Sequence, residues 1–135
     1  MVEIINLYNL AEESGISVDF LPLKENKGIY LEANGKEYIA ISDSCSPADE
    51  KVVLAHELGH SMTGGGYDPL TGSLMRVRLE KRAEKWAIEK LVPLCELKAA
   101  IKQGYEAIPD LAERFGVTVC FMHKVFEHYC AKNSA

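Results

Sequence analysis

Residues 54–62 read LAHELGHSM: two histidines four positions apart, with a glutamate directly after the first. On a helix turning about 100° per residue, His56 and His60 point only about 40° apart, so both imidazoles reach one ion from successive turns. Glu57 sits on the flank of that face. Leu54, Leu58 and Met62 form a second stripe on the opposite side, which predicts a core face and a separate polar face bearing the three reactive groups.

The flanking residues support a helix there. Ser46-Pro47-Ala48-Asp49 supplies a hydroxyl cap, a proline whose missing N–H costs nothing in the first turn, and an acid near the positive end of the dipole. Gly64-Gly65-Gly66 closes the segment, so the predicted helix runs over 47–63. A turn-rich loop, GGGYDPLTGS, leads into a second helix over 74–91, stopped by Pro93. Its buried face is read as Leu79, Ala83, Trp86 and Ala87, and Arg78, Lys81, Arg82, Lys85 and Glu89 are read as exposed.

Upstream, VEIINLYNLAEE (2–13) has helical spacing and stops at Ser14-Gly15. Three extended segments follow, at 17–22, 28–32 and 37–42, rich in Val, Ile, Tyr and Phe. Asn34-Gly35 between the last two suits a type I′ hairpin turn, because both residues tolerate positive φ. Downstream, shorter helices are predicted over 94–103, 106–115 and 118–130. The expectation is one α+β domain over 1–135: a three-stranded sheet, the histidine helix, a second helix and a helical tail.

Composition narrows the function classes. A hydrophobic fraction of 47% and a charged fraction of 26% are those of a folded globular chain, not a disordered one. No signal region or apolar run long enough to span a bilayer is visible, which predicts a cytoplasmic protein without membrane contact. The four cysteines lack CxxC pairing and are expected to be reduced, buried and small. Residues 1–50 carry three lysines against ten acids and residues 51–135 twelve bases against ten acids, which argues against a dedicated nucleic-acid binder.

HExxH on a helix has a specific chemistry. Neutral imidazoles bind a borderline divalent ion such as Zn²⁺, and the glutamate stands beside the ion as a base for water. The competing reading makes both histidines solvated surface residues. A catalytic zinc needs a third protein ligand. The metzincin completion fails, because Thr63 and Gly66 stand where glycine and histidine are required. Glu80 is the better candidate: it borders the buried stripe, and Glu84 one turn later is a like charge that needs a neutralising cation. That cation is either a metal or a basic neighbour such as Arg76.

AHELGHSMTGGGY (55–67) followed by LEKRAEKWAIEKLVP (79–93) resembles the ImmA/IrrE family of metallo-endopeptidases of phages, mobile elements and bacteria. The second stretch follows the family pattern E-x-x-A-N/D-x-F/W-A-x-x-x-L-x-P, except that Glu84 stands at the Asn/Asp position. The resemblance implies a minimal zincin-like fold, His56, His60 and Glu80 as metal ligands, Glu57 as catalytic base, and Glu84 as a neighbour that orients a histidine. It implies Zn²⁺, with another divalent ion such as Mn²⁺ as the alternative, and site-specific cleavage of a helix-turn-helix repressor as the function.

Other features are weighed against this. Tyr67 in the glycine-rich loop has a hydroxyl suited to the oxyanion of attack, or packs on the second helix. The triple glycine is no phosphate loop, since no Gly-Lys-Ser/Thr follows. The tail has a helix-turn-helix cadence about Gly116, with Val119, Met122, Val125 and Phe126 facing inward. It offers base edges chiefly Lys124 and His123, so DNA binding is the minor reading. His123 and His128, five apart, are read as surface residues. The alternative function is a catalytically silent metal-containing regulator that binds a repressor or DNA through this tail.

Overall fold

The hairpin turn forms as its sequence requires: Asn34 and Gly35 both adopt positive φ, at 54° and 77°. In the computed structural model, which describes residues 1–133, this turn joins strands β2 (Gly28–Ala33) and β3 (Lys36–Ser42). Helix α1 (Ile4–Glu13) and strand β1 (Ile16–Leu21) precede them. The sheet order is β1-β3-β2, with β1 parallel and β2 antiparallel to the central β3. Among the described residues, strand β2 therefore has one free edge. A two-residue turn makes Ala33 and Lys36 a hydrogen-bonded pair, so the N–H and C=O groups of Gly28, Tyr30 and Glu32 point away from β3.

Helices α2 (Pro47–Met62) and α3 (Ser73–Leu91) follow, then α4 (Leu94–Lys102), α5 (Ile108–Phe115) and α6 (Val119–Asn133). This is the α+β architecture expected; the last two positions of the predicted tail lie outside the described residues. Ser46 caps α2 by accepting the Asp49 N–H at 3.1 Å, with Pro47 at the first helical position. Ile39 and Ile41 of the sheet, Leu54 and Leu58 of α2 and Ala87, Ile88 and Leu91 of α3 share one hydrophobic core. Leu111, Met122 and Val125 extend it into the tail.

Of the stripe expected to face the core from α2, Leu54 and Leu58 are buried but Met62 is not, and the polar face is itself largely enclosed. Met62 is 37% exposed, whereas Glu57 and His60 are 7% and 4% exposed. The sheet and α3 cover the middle of this helix between them, so its polar residues are enclosed while Met62 lies at its uncovered end. At Gly59 the two helices pass close to each other: a Cβ there would stand 2.5 Å from the Ala83 carbonyl oxygen.

Two further expectations are corrected. Val119 is exposed, and Val117 and Phe121 take the buried positions; α6 starts at Val119, with Thr118 accepting the Phe121 N–H. All four cysteines are free thiols, but Cys95, Cys120 and Cys130 are exposed and Cys45 is half-buried. They fall on the outward sides of their elements, the adjacent core positions being held by Leu97, Phe121 and Tyr129. Among the described residues no helix is long and apolar enough to cross a membrane.

Candidate metal centre

Successive turns of α2 present His56 and His60 to α3, as their spacing dictates, and Glu80 comes from the facing side of α3. His56 Nε2 lies 2.8 Å from Glu80 Oε2, and His60 Nε2 lies 3.1 Å from Glu80 Oε1. One carboxylate thus bridges two imidazoles, and a ligand atom from each of the three residues lies within 4.8 Å of the others. The His56 and His60 hydrogen bonds hold the Glu80 carboxyl well below the usual carboxylate range, against the effect of burial. Burial opposes protonation of His56, but its bond to Glu80 and the charges of Glu57, Glu80 and Glu84 outweigh it and raise its pKa.

Arg76, the rival partner for Glu80, is engaged elsewhere. Its guanidinium donates to the carbonyls of Thr71 at 3.0 Å, Asp68 at 3.3 Å and Pro69 at 3.2 Å. It also lies over the Tyr67 ring, 5.1 Å from the ring centroid to the guanidinium carbon. Tyr67 is 41% exposed and meets His60 edge-on at 6.2 Å, so it both packs beneath an α3 side chain and borders the site. Burial and the nearby Glu80 charge push its phenol pKa up.

Glu57 is enclosed, and its Oε2 has no hydrogen-bond partner among the described residues. Burial raises its pKa despite the opposing influence of His56 and His60. Glu84 is not hydrogen-bonded to a histidine: its Oε1 pairs with Lys124 Nζ of α6 at 3.2 Å, and it reaches His56 only through its charge. The role expected of it as an orienting hydrogen-bond partner is therefore not supported by this geometry. The longer glutamate side chain extends to the tail instead. Lys124 is thereby drawn to the site, while His123 stays exposed and His128 Nε2 sits 3.0 Å from Glu89 Oε2.

A cavity of about 630 Å³ runs past His56, Glu57, His60 and Glu80, between the start of β2 and α6. Val52, Val53 and Phe121 give it an apolar side. Several contributors escaped the sequence reading. Tyr30 stacks on His60, and Glu37 accepts from both Tyr30 and Ser61. The available signal was strand parity, which puts Tyr30 on the same face as Gly28, whose missing side chain admits Val53 and Glu57. Lys51 is likewise unanticipated: buried on α2, it donates to the Phe115 carbonyl at 2.6 Å and ties the site helix to α5.

The donor set suits a divalent ion. Ligand atoms of a tetrahedral zinc site stand about 3.3 Å apart at ordinary bond lengths; here the two Glu80 oxygens stand 2.8 and 3.1 Å from the two imidazoles, one each, and one ligand atom from each of the three residues lies within 4.8 Å of the others.

The Peptidase_M78 family, described as the IrrE N-terminal-like domain, matches residues 11–125. The chain is also 30% identical over 106 residues to the radiation response metalloprotease IrrE of Deinococcus deserti, an alignment covering 77% of this chain and 35% of that protein. The chain thus spans about a third of that relative's length. The family match takes in both helices that carry the His-His-Glu cluster, and on that span the chain belongs to the IrrE N-terminal-like family of metallopeptidases.

Proposed function

We propose that the chain is a zinc-dependent endopeptidase that cuts a regulatory protein at a specific site, the regulator being a helix-turn-helix repressor of a phage, mobile element or stress regulon. The hydrolase reading is carried by the position of Glu57. It is an enclosed carboxylate with one unpartnered oxygen, beside two imidazoles and a second acid drawn together as a ligand set. A purely structural metal site has no use for such a base.

His56, His60 and Glu80 would hold the ion, and manganese is the competing metal, since imidazole and carboxylate donors serve several divalent ions. When bound, the ion supplies Lewis acidity toward the scissile carbonyl and acidifies the water nucleophile. Glu57 takes the proton from that water and passes it to the leaving amine, a task suited to a carboxylate whose burial has raised its proton affinity. The Tyr67 hydroxyl, at the cavity's border, is assigned to the developing oxyanion.

An extended substrate segment pairs with the outward N–H and C=O groups of Gly28 and Tyr30 on the free edge of β2. Backbone pairing of this kind needs no chain terminus, which suits cleavage within a chain. The repressor assignment rests on the family resemblance, and the radiation-response role in the relative's name fits a stress regulon. Four free thiols suit the reducing cytoplasm where repressors act.

The test is metal content and cleavage together. Wild type should bind one equivalent of zinc and cut a helix-turn-helix repressor from among candidate regulators, whereas His56→Ala should lose the metal and Glu57→Gln keep it without cutting. Cleavage by Glu57→Gln would refute the assigned base. Binding without cleavage by wild type would favour the silent regulator.

A further inference from the structure

We propose that Tyr30 is a positioning residue for His60: its ring, pinned by Glu37, holds the imidazole plane toward Glu80 in place of the hydrogen bond that ordinarily orients a metal-binding histidine. The proposal rests on His60 acting as a ligand. A ligating histidine nearly always donates its other ring N–H to a carboxylate or carbonyl, which fixes both tautomer and ring orientation. His60 departs from that rule. Its Nδ1 is buried and has no hydrogen-bond partner among the described residues. Glu84, the acid that the family resemblance assigns to such a task, is paired with Lys124.

Ring packing fills the role instead. The Tyr30 and His60 rings are stacked, with centroids 5.9 Å apart and planes 28° apart. His56 and Tyr67 meet His60 edge-on at 5.1 and 6.2 Å. Of these neighbours, His56 is itself a ligand and Tyr67 lies in the partly exposed glycine loop, so only Tyr30 belongs to the sheet. Its hydroxyl donates to Glu37 Oε1 at 2.6 Å, and the same oxygen accepts the Ser61 hydroxyl at 2.7 Å. Ser61 follows His60 in the chain. The contacts therefore close a circuit from His60 through Ser61, Glu37 and Tyr30 back to the imidazole, joining β2, β3 and α2.

Gly66 completes the seat. A Cβ at that position would lie 2.8 Å from Tyr30 Cδ2, so the loop backbone rests directly against the ring. A tyrosine held by a charge-assisted bond at its hydroxyl and by backbone at its edge has little freedom to rotate, and a ring stacked on it inherits that restriction. Because Tyr30 also directs its N–H and C=O to the free edge of β2, one residue links the proposed substrate strand to the orientation of a metal ligand.

The experiment measures zinc affinity by chelator competition and the visible absorption of the Co²⁺-loaded protein, whose bands report ligand geometry. The proteins are wild type, His60→Ala, Tyr30→Leu, Glu37→Ala and Glu37→Gln. Tyr30→Leu should bind zinc about 10- to 100-fold more weakly, the usual loss when a ligand's orienting partner is removed, with shifted Co²⁺ bands. Glu37→Ala should lose about 3- to 10-fold. Glu37→Gln should recover to within about twofold of wild type, since its amide oxygen still accepts both hydroxyls. Wild-type affinity and spectrum in Tyr30→Leu would overturn the proposal. If that variant does not fold, wild-type behaviour in Glu37→Ala overturns it, as does an equal loss in Glu37→Gln and Glu37→Ala, which would point to charge and not to the clamp. Equal zinc binding by wild type and His60→Ala would remove the metal reading beneath it.

Discussion

Replacing Gly59 by alanine tests whether the two helices that carry the His-His-Glu cluster are held at a fixed separation. The added Cβ would stand 2.5 Å from the Ala83 carbonyl oxygen, 3.0 Å from its Cα and 3.1 Å from its carbonyl carbon. Ordinary carbon–oxygen contacts begin at about 3.3 Å, so α2 and α3 must part by about 0.8 Å. No side-chain rotation relieves a clash with backbone. Overpacking of this kind costs up to about 3 kcal/mol, and the better helix propensity of alanine returns about 1, which leaves a net loss of about 2 kcal/mol. For a chain of this size that is a fall of roughly 6–10 °C in the unfolding midpoint of the metal-free protein. The larger consequence falls on the site. Ala83 follows Glu80 by one turn, so moving α3 carries the carboxylate with it, and metal–ligand distances tolerate only about 0.2 Å. Zinc affinity should drop by at least about tenfold. Thermal unfolding of the metal-free protein and zinc titration against a chelator read the two effects separately. A Gly59→Ala protein with wild-type midpoint and wild-type affinity would refute the claim that this close approach sets the site's geometry.

Glu57→Gln should retain zinc while hydrolysis of a cleavable repressor falls by about 10²–10⁴-fold, checked by metal analysis and gel assay. Saturating zinc, at about a thousand times its dissociation constant, should stabilise wild type by about 4 kcal/mol; Glu80→Ala should lose most of that increment, read as the difference in midpoint with and without chelator. Asp49 accepts from Lys27 Nζ and from the Ser46 hydroxyl, both at 3.1 Å, and the Lys27 bond leads in lowering its pKa. Its folded pKa lies below its unfolded one, so its contribution is complete above about pH 4 and is lost as pH falls through the folded value. The stability gap between wild type and Asp49→Asn, about 1 kcal/mol at pH 7, should therefore narrow in acid, as urea unfolding at pH 7 and pH 3 would show.

Much of the fold was legible because local chemistry and tertiary demand agree along most of the chain. Asn34-Gly35 dictates a turn that only such residues form easily, and Ser46-Pro47 dictates where α2 begins; both act within a few residues. The order of the sheet was not legible. The parallel pairing of β1 with β3 depends on which edge of the hairpin meets the incoming strand, and alternation within one strand carries no record of that. Cys120 and Val119 were misjudged because both are residue types usually found buried, whereas in α6 Phe121, Met122, Val125 and Tyr129 occupy the face turned to the core.

The site divides along the same line between local and distant constraints. His56, Glu57 and His60 lie within two turns of one helix, so spacing alone brings them together. Glu80 declared itself through a misfit, a carboxylate beside small buried residues with a like charge one turn away. Glu84 produced the same misfit, yet its cation is Lys124, forty positions further along the chain. A burial conflict in sequence thus reveals that an acid needs a positive partner without revealing which one arrives, and here the two acids that pose the same problem receive different answers. Tyr30 gave no misfit at all. A tyrosine alternating in a hairpin satisfies every local rule, and its contact with His60 exists only because the sheet is laid across α2. Strand parity puts Tyr30 on the same face as Gly28, but which helix lies against that face, and so that Tyr30 meets His60, is decided only by the arrangement of the elements.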